Sequence, residues 1–386
     1  MFHLHNSHSR KRIAIIGGTG AVGAYFAQQL VNAGHSVSII GKTGSQSLKH
    51  IQTNGLRLIT TAGEFQIPAE KFSYVGDLAL FPRKDKQDLV IISLKQFDMS
   101  DEIAQQILEI TDGNSVIGVI TNGLPFYFLR GLNFSKKHLD SVDDGGRITQ
   151  KFTDRTIICI QPVIASTIVS PGNIQIIRPR EKITVTLGYP ENYLSRQIEE
   201  ICDLFKRSHI NTTITEDPIQ KNILAKLQFA LSLNTLSAIM EKSIGYIFDA
   251  PETQVLIRYS ITLINQISIA LGLGTLRSYE QFKSTIITKE HFSSLYYDIK
   301  AGKPGEVRAI VDATIEMANF LKNHNLHGKR MLDLGPLETL KELLAQKISK
   351  IGVNQLQLMK LFEACHKALN FSTENIVSRV RIPSKL

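Results

Sequence analysis

The chain has 386 residues, 43% of them hydrophobic and 20% charged, a balance that excludes a disordered protein and a length that predicts two domains. Its 44 Lys and Arg against 35 Asp and Glu give a formal charge of +9, but the basic residues are scattered and no nucleic-acid motif accompanies them. A mildly basic surface for small anions is expected, not a nucleic-acid partner.

Three widely spaced cysteines, Cys159, Cys202 and Cys365, form no disulfide framework and no metal-ligand pattern, so no metal is expected. Residues 1–10 lack the apolar core of a signal peptide, and no apolar run is long enough to span a bilayer. A reducing, cytoplasmic setting without a membrane span fits these features.

The first predicted strand, Ile13–Ile16, runs into Gly18-Thr19-Gly20-Ala21-Val22-Gly23 and then into a helix over Tyr25–Val31. Gly18 permits a tight turn, Gly20 lets backbone approach a pyrophosphate, and Gly23 lets helix and strand pack, with Thr19, Ala21 and Val22 completing the loop. Free N–H groups at the helix start face the anion. A second strand, Ser36–Ile40, ends in Gly41-Lys42-Thr43-Gly44-Ser45, which carries no acid for a ribose 2′-hydroxyl and offers a cation with two hydroxyl side chains. This favours NADP(H) over NAD, although Lys42 also reads as an ordinary solvated loop lysine.

Leu89–Ser93, Ser115–Ile120 and Thr156–Ile160 complete an apolar strand series typical of a doubly wound, Rossmann-type parallel sheet. Residues 55–59 with 63–67 predict a hairpin, and Gly172–Ile177 with Lys182–Leu187 a second strand pair. Within Phe126–Arg155 the polar stretch SKKHLDSVDDGG reads as an excursion or lid outside the core. Strand signals stop after Ile214, and helical periods follow at residues 224–233, 255–271, 307–321, 340–348 and 356–369. The expected domains are residues 11–217, an α/β NADP-binding unit, and 218–371, an all-helical substrate domain, with 372–386 a tail. An active site in the cleft between the two follows from that plan.

Four places carry candidate chemistry. Lys95 closes the Leu89–Ser93 strand at the sheet's carboxyl edge, and Asn122-Gly123 closes the next one as either a site or a plain turn. Lys226, Ala230 and Asn234 recur at helical spacing among leucines, so Lys226 is either a desolvated proton donor for a ketone or a snorkelling lysine. Ser294 and Glu306 either bind a substrate's carboxylate and hydroxyl or cap helices.

The motifs GTGAVG, ISLKQFD, TNGL, AKLQFALSLNTLSA and SSLYYDI, with Glu306 twelve residues after Ser294, resemble in order and spacing those of the ketopantoate reductases, from about Lys11 to Leu340. The resemblance implies NADPH-dependent reduction of 2-dehydropantoate to pantoate, on the path to pantothenate and coenzyme A. It implies Lys226 as general acid, Glu306 holding the substrate hydroxyl and Ser294 its carboxylate. Asn234 falls on the substrate side, Lys95 and Asn122 beside nicotinamide and substrate, and Lys42 at the 2′-phosphate.

The chain departs from the family pattern at Ala230 and His291, where asparagines are usual. Two missing amides open the alternative of a paralogue acting on a different 2-oxo acid. A non-catalytic NADP(H)-binding sensor is the rival from another class. The helical domain offers a surface for a homodimer.

Overall fold

The computed structural model describes residues 10–191, 195–284, 290–323 and 331–372, so the expected tail lies almost wholly outside the described residues. The chain divides into two compact units, residues 1–121 with 147–219, and residues 122–146 with 220–386.

The first unit contains, in order, β1 (Arg12–Ile16), α1 (Ala21–Asn32), β2 (Ser36–Ile40), α2 (Gln46–Asn54), β3 (Leu56–Thr60), β4 (Gly63–Ile67), β5 (Tyr74–Gly76), β6 (Leu89–Ile92), α3 (Asp101–Glu109) and β7 (Val116–Val119). After the excursion come α4 (Arg147–Lys151), β8 (Thr156–Val163), β9 (Ser166–Ser170), β10 (Asn173–Ile176), β11 (Thr184–Gly188), α5 (Arg196–Arg207) and β12 (Thr212–Ile214). Eight strands form one sheet in the order β12-β11-β8-β7-β6-β1-β2-β5, parallel throughout except for the β8–β11 pair. This is the expected doubly wound α/β plan. Ile16 pairs with Ile40 on one side and Ile92 on the other, so β1, β2 and β6 end level. The strand order reverses at β1, and that is where a crevice for a ligand forms at the carboxyl edge.

A second sheet, β4-β3-β10-β9, corrects one expectation. The β3–β4 hairpin forms, but β10 and β11 do not pair: β10 joins β3 and β9, while β11 lies antiparallel on β8 in the main sheet. The small sheet has a purpose for α1, which touches β1 and β2 on one side and β3, β9 and β10 on the other. A helix covered on both sides must be apolar nearly all round, and Gly23 through Leu30 are all buried. The two amides in that run are paired, Gln29 donating to Gln28 and accepting from Arg180.

The second unit is helical: α6 (Ile219–Phe229), α7 (Thr235–Met240), α8 (Ile244–Asp249), α9 (Gln254–Ala270), α10 (Tyr279–Lys283), α11 (Ser294–Lys300), α12 (Ala313–Asn323), α13 (Gly335–Ile348) and α14 (Gln355–Ser372). The helical run Ile219–Met240 is long and apolar enough to cross a membrane by composition, but 72% of its most apolar window is buried inside the protein, as for a core helix. Two of its turns are wide. Ala230–Asn234 between α6 and α7, and Arg308–Asp312 ahead of α12, are π-turns, and they pack against each other.

The 122–146 segment is no loose lid. Phe126, Tyr127, Phe128 and Leu129 are buried in the core, and Phe134 meets Phe320 of α12 edge-on at 5.5 Å. Its polar stretch is held by Glu316 of α12, which accepts from the N–H groups of Asp140 and Ser141 (both 2.8 Å), the Ser141 hydroxyl (2.6 Å) and Lys136 Nζ (2.7 Å). A polar sequence reads as solvated, but here one carboxylate satisfies its backbone donors.

Candidate active site

The glycine loop begins one residue earlier than its motif. Gly17 has φ +80° and donates its N–H to Ile40 O at 2.9 Å, and a Cβ there would stand 2.5 Å from Ser93 O. Only glycine fits both the left-handed backbone and that contact. The tight turn therefore belongs to Gly17, while Gly18 lies under Ile15 and Ile39. A side chain on Gly23 would come within 2.6 Å of Gly17 O and 2.9 Å of Gly18 Cα, so Gly23 lets α1 start against the turn. Gly20 is the N-cap of α1, with no side chain capping the helix and no acid in the first turn. Uncompensated N–H groups at the end of a buried helix are suited to a pyrophosphate, and these residues fit a dinucleotide.

At the end of β2, Lys42 is exposed, and among the described residues no carboxylate pairs with its ammonium. Both neighbouring hydroxyls are already engaged. Thr43 donates its N–H (3.1 Å) and its hydroxyl to Asp77, and Ser45 accepts from Leu48 N–H as the cap of α2. Burial pushes the Asp77 carboxyl up, but hydrogen bonds from Thr43 and Ala79 outweigh it and hold the group below its ordinary value. Lys95 is half-buried three residues past β6, on the strand end whose Ser93 carbonyl meets Gly17.

In the helical unit, Asn122 and Glu306 come together. Glu306 is 5% exposed, and its carboxylate accepts from Asn122 N–H at 3.3 Å and from Asn122 Nδ2 at 2.8 Å. A buried carboxylate needs such donors, and two from one residue fix its plane as well as its position. Gly123 is the turn half of the Asn-Gly pair. It takes φ +78°, a Cβ there would meet Ala309 O at 2.5 Å, and Leu124 N–H donates to the same carbonyl at 2.9 Å. The second π-turn thus seats the loop that carries Asn122.

Lys226 is half-buried in the last turn of α6, between buried Ile223, Leu224 and Leu227. In a regular α-helix Asn234 would stand about 80° around from it, at about 100° per residue. A π-turn needs roughly 4.4 residues per turn, which removes most of that offset and returns Asn234 toward the face of Lys226. Ala230, 3% exposed, starts the π-turn and presents only a methyl group.

Ser293, not Ser294, caps α11. Its hydroxyl accepts from Tyr296 N–H at 3.1 Å and donates to Asn234 O at 3.0 Å, leaving Ser294 exposed at the first helical position. The capping role of Ser293, the turn at Gly17 and the tie from Asp77 were missed in the sequence. Of these, only the doubled glycine and doubled serine left a trace there.

Two family models match the chain, Ketopantoate reductase PanE/ApbA over residues 13–126 and its C-terminal counterpart over 218–324, together more than half its length. A curated 2-dehydropantoate 2-reductase of Mesorhizobium japonicum is 27% identical over 307 residues, covering 79% of this chain and 90% of the relative. Among solved structures, a PanE/ApbA family ketopantoate reductase from Ralstonia eutropha aligns with a TM-score of 0.68 at 18% identity, over 88% of this chain and 98% of that one. D-mandelate dehydrogenase, solved with NADH and anilino(oxo)acetate, aligns with a TM-score of 0.71 at 17% identity over the same shares. These two likenesses concern the fold.

Proposed function

This chain belongs to the ketopantoate reductase family, and on that premise we propose that it is an NADPH-dependent oxidoreductase reducing 2-dehydropantoate to pantoate, in the cytoplasm. The observation that carries the reading is the buried Glu306 carboxylate held by both donors of Asn122. Such a group is preorganised to accept a hydrogen bond from a substrate hydroxyl.

NADPH, when bound, supplies the hydride. The loop Gly18, Thr19, Gly20, Ala21, Val22 and Gly23 holds its pyrophosphate, Lys42 its 2′-phosphate, and Lys95 and Asn122 its nicotinamide side. Lys226 protonates the oxygen of the ketone as it becomes an alkoxide, and its ammonium stabilises the charge developing there. Ser294 binds the substrate carboxylate with an unburied hydroxyl, and Asn234, aligned with Lys226 by the π-turn, orients the substrate beside it.

A second reading, a 2-oxo acid larger or more apolar than ketopantoate, draws on Ala230 and on the stacked rings of Phe292 and Tyr296, 4.5 Å apart on either side of Ser294. A methyl group and aromatic faces select for apolar substituents where amides would select for a hydroxyl.

The test is loss of NADPH absorbance on adding 2-dehydropantoate, with Lys226→Ala and NADH alongside. Turnover that prefers NADPH and falls about 100- to 10,000-fold in Lys226→Ala is expected for a lost general acid. NADPH binding without turnover would remove 2-dehydropantoate as substrate and favour the apolar 2-oxo acids.

A further inference from the structure

Sites for NAD place an acid at the end of the second strand of this fold, where it accepts from the ribose 2′-hydroxyl. Here β2 ends without one, but the neighbouring strand supplies it. Ile40 of β2 pairs with Gly76 of β5, Gly41 N–H donates to Gly76 O at 2.9 Å, and the next residue of that strand end is Asp77. An acid therefore stands beside the loop that meets the adenosine ribose. Left open, its charge would repel a 2′-phosphate and attract a diol.

It is not left open. One carboxylate oxygen takes both the N–H and the hydroxyl of Thr43, and the other takes Ala79 N–H at 2.7 Å. The same tie fixes the turn that follows: Ser45 N–H closes onto Lys42 O at 3.1 Å, Gly44 takes φ +76°, and Lys42 is held outward.

We propose that Asp77 is a positioning residue for nucleotide choice: bound to Thr43, it holds the Lys42-Thr43 turn toward a 2′-phosphate and withholds its own carboxylate from a 2′-hydroxyl. The inference rests on the NADPH reading and adds its specificity device. Thr43 is the latch. Without its hydroxyl, that oxygen of Asp77 keeps only the backbone N–H of residue 43, regains a lone pair for a ribose hydroxyl, and the site turns toward NADH.

The experiment measures dissociation constants of NADPH and NADH by nicotinamide fluorescence, without any 2-oxo acid, for the wild type, Thr43→Ala, Thr43→Ser and the double variant Thr43→Ala with Asp77→Asn. In Thr43→Ala the preference for NADPH should fall about tenfold, the size of one hydrogen bond to a charged group. Thr43→Ser keeps the hydroxyl and should keep the wild-type ratio. The double variant, having no charge to release, should recover it as well. Equal weakening of both nucleotides in Thr43→Ala, or a shift that survives the loss of the Asp77 charge, overturns the proposal and leaves the NADPH reading standing. A wild-type ratio near one overturns the NADPH reading and the proposal with it.

Discussion

Asn122 gives two hydrogen bonds to one buried carboxylate, so its loss should be felt at the substrate more than in the fold. Replacing it with alanine removes the Nδ2 donor and keeps the backbone N–H of residue 122. At the cost of a buried hydrogen bond to a charged group, kcat/KM for the 2-oxo acid should fall about 10- to 100-fold. Steady-state kinetics with a thermal melt checks this, and an unchanged kcat/KM in a folded variant would contradict it. The Asn-Gly pair was legible in the sequence as either a turn or a site; Gly123 makes the turn and Asn122 holds the Glu306 carboxylate. Glu306 was read from the sequence as a substrate binder or a helix cap, but nothing near it in sequence announces a partner 184 residues away. Gly17 and Asp77 answer to Ser93 and Thr43 across the fold, and no local pattern records such demands.

At the scale of elements, one glutamate fastens a segment to a helix. Burial pushes the Glu316 carboxyl up, but Lys136, Ser141 and the Asp140 N–H more than offset it and hold the group below its ordinary 4.5. A carboxyl depressed in the folded state contributes stability above its unfolded pKa and loses it as pH falls through the folded one. The wild-type melting temperature should therefore drop from about pH 4.5 downward, and Glu316→Gln should start lower at neutral pH and flatten that acid slope. Melting curves from pH 3 to 7 decide it; parallel curves would show that the clamp carries no such dependence. The central strands β1, β6 and β7 were readable because they are apolar on both faces, whereas the short edge strand β5 carries no such run and was not predicted. The partners of β10 and β11 were not, since two strands adjacent in sequence here serve two different sheets. Period-based reading also presumes 3.6 residues per turn, and so it passed straight through both π-turns, the places where the candidate catalytic helices are re-phased.

For the molecule as a whole, the cysteine spacing showed no disulfide framework but not where the thiols lie; in the structure Cys159, Cys202 and Cys365 are thiols, all buried. Burial drives the Cys365 thiol strongly upward, and that of Cys202 upward as well. A thiol-specific chromogenic reagent should find these three sites unreactive in the native protein and fully reactive in guanidinium, with reductant leaving the melting temperature unchanged. Rapid native labelling would contradict that burial. The division into two units was legible only in part, because the 122–146 excursion leaves one unit to join the other and then returns. That detour has a consequence during synthesis. Phe126, Tyr127, Phe128 and Leu129 leave the ribosome about 180 residues before Ala309, Glu316 and Phe320, the helix residues that hold their segment, so at roughly 5–20 residues per second they wait about 10–40 s. The nascent chain thus carries that aromatic stretch without its final packing partners while the rest is still being made.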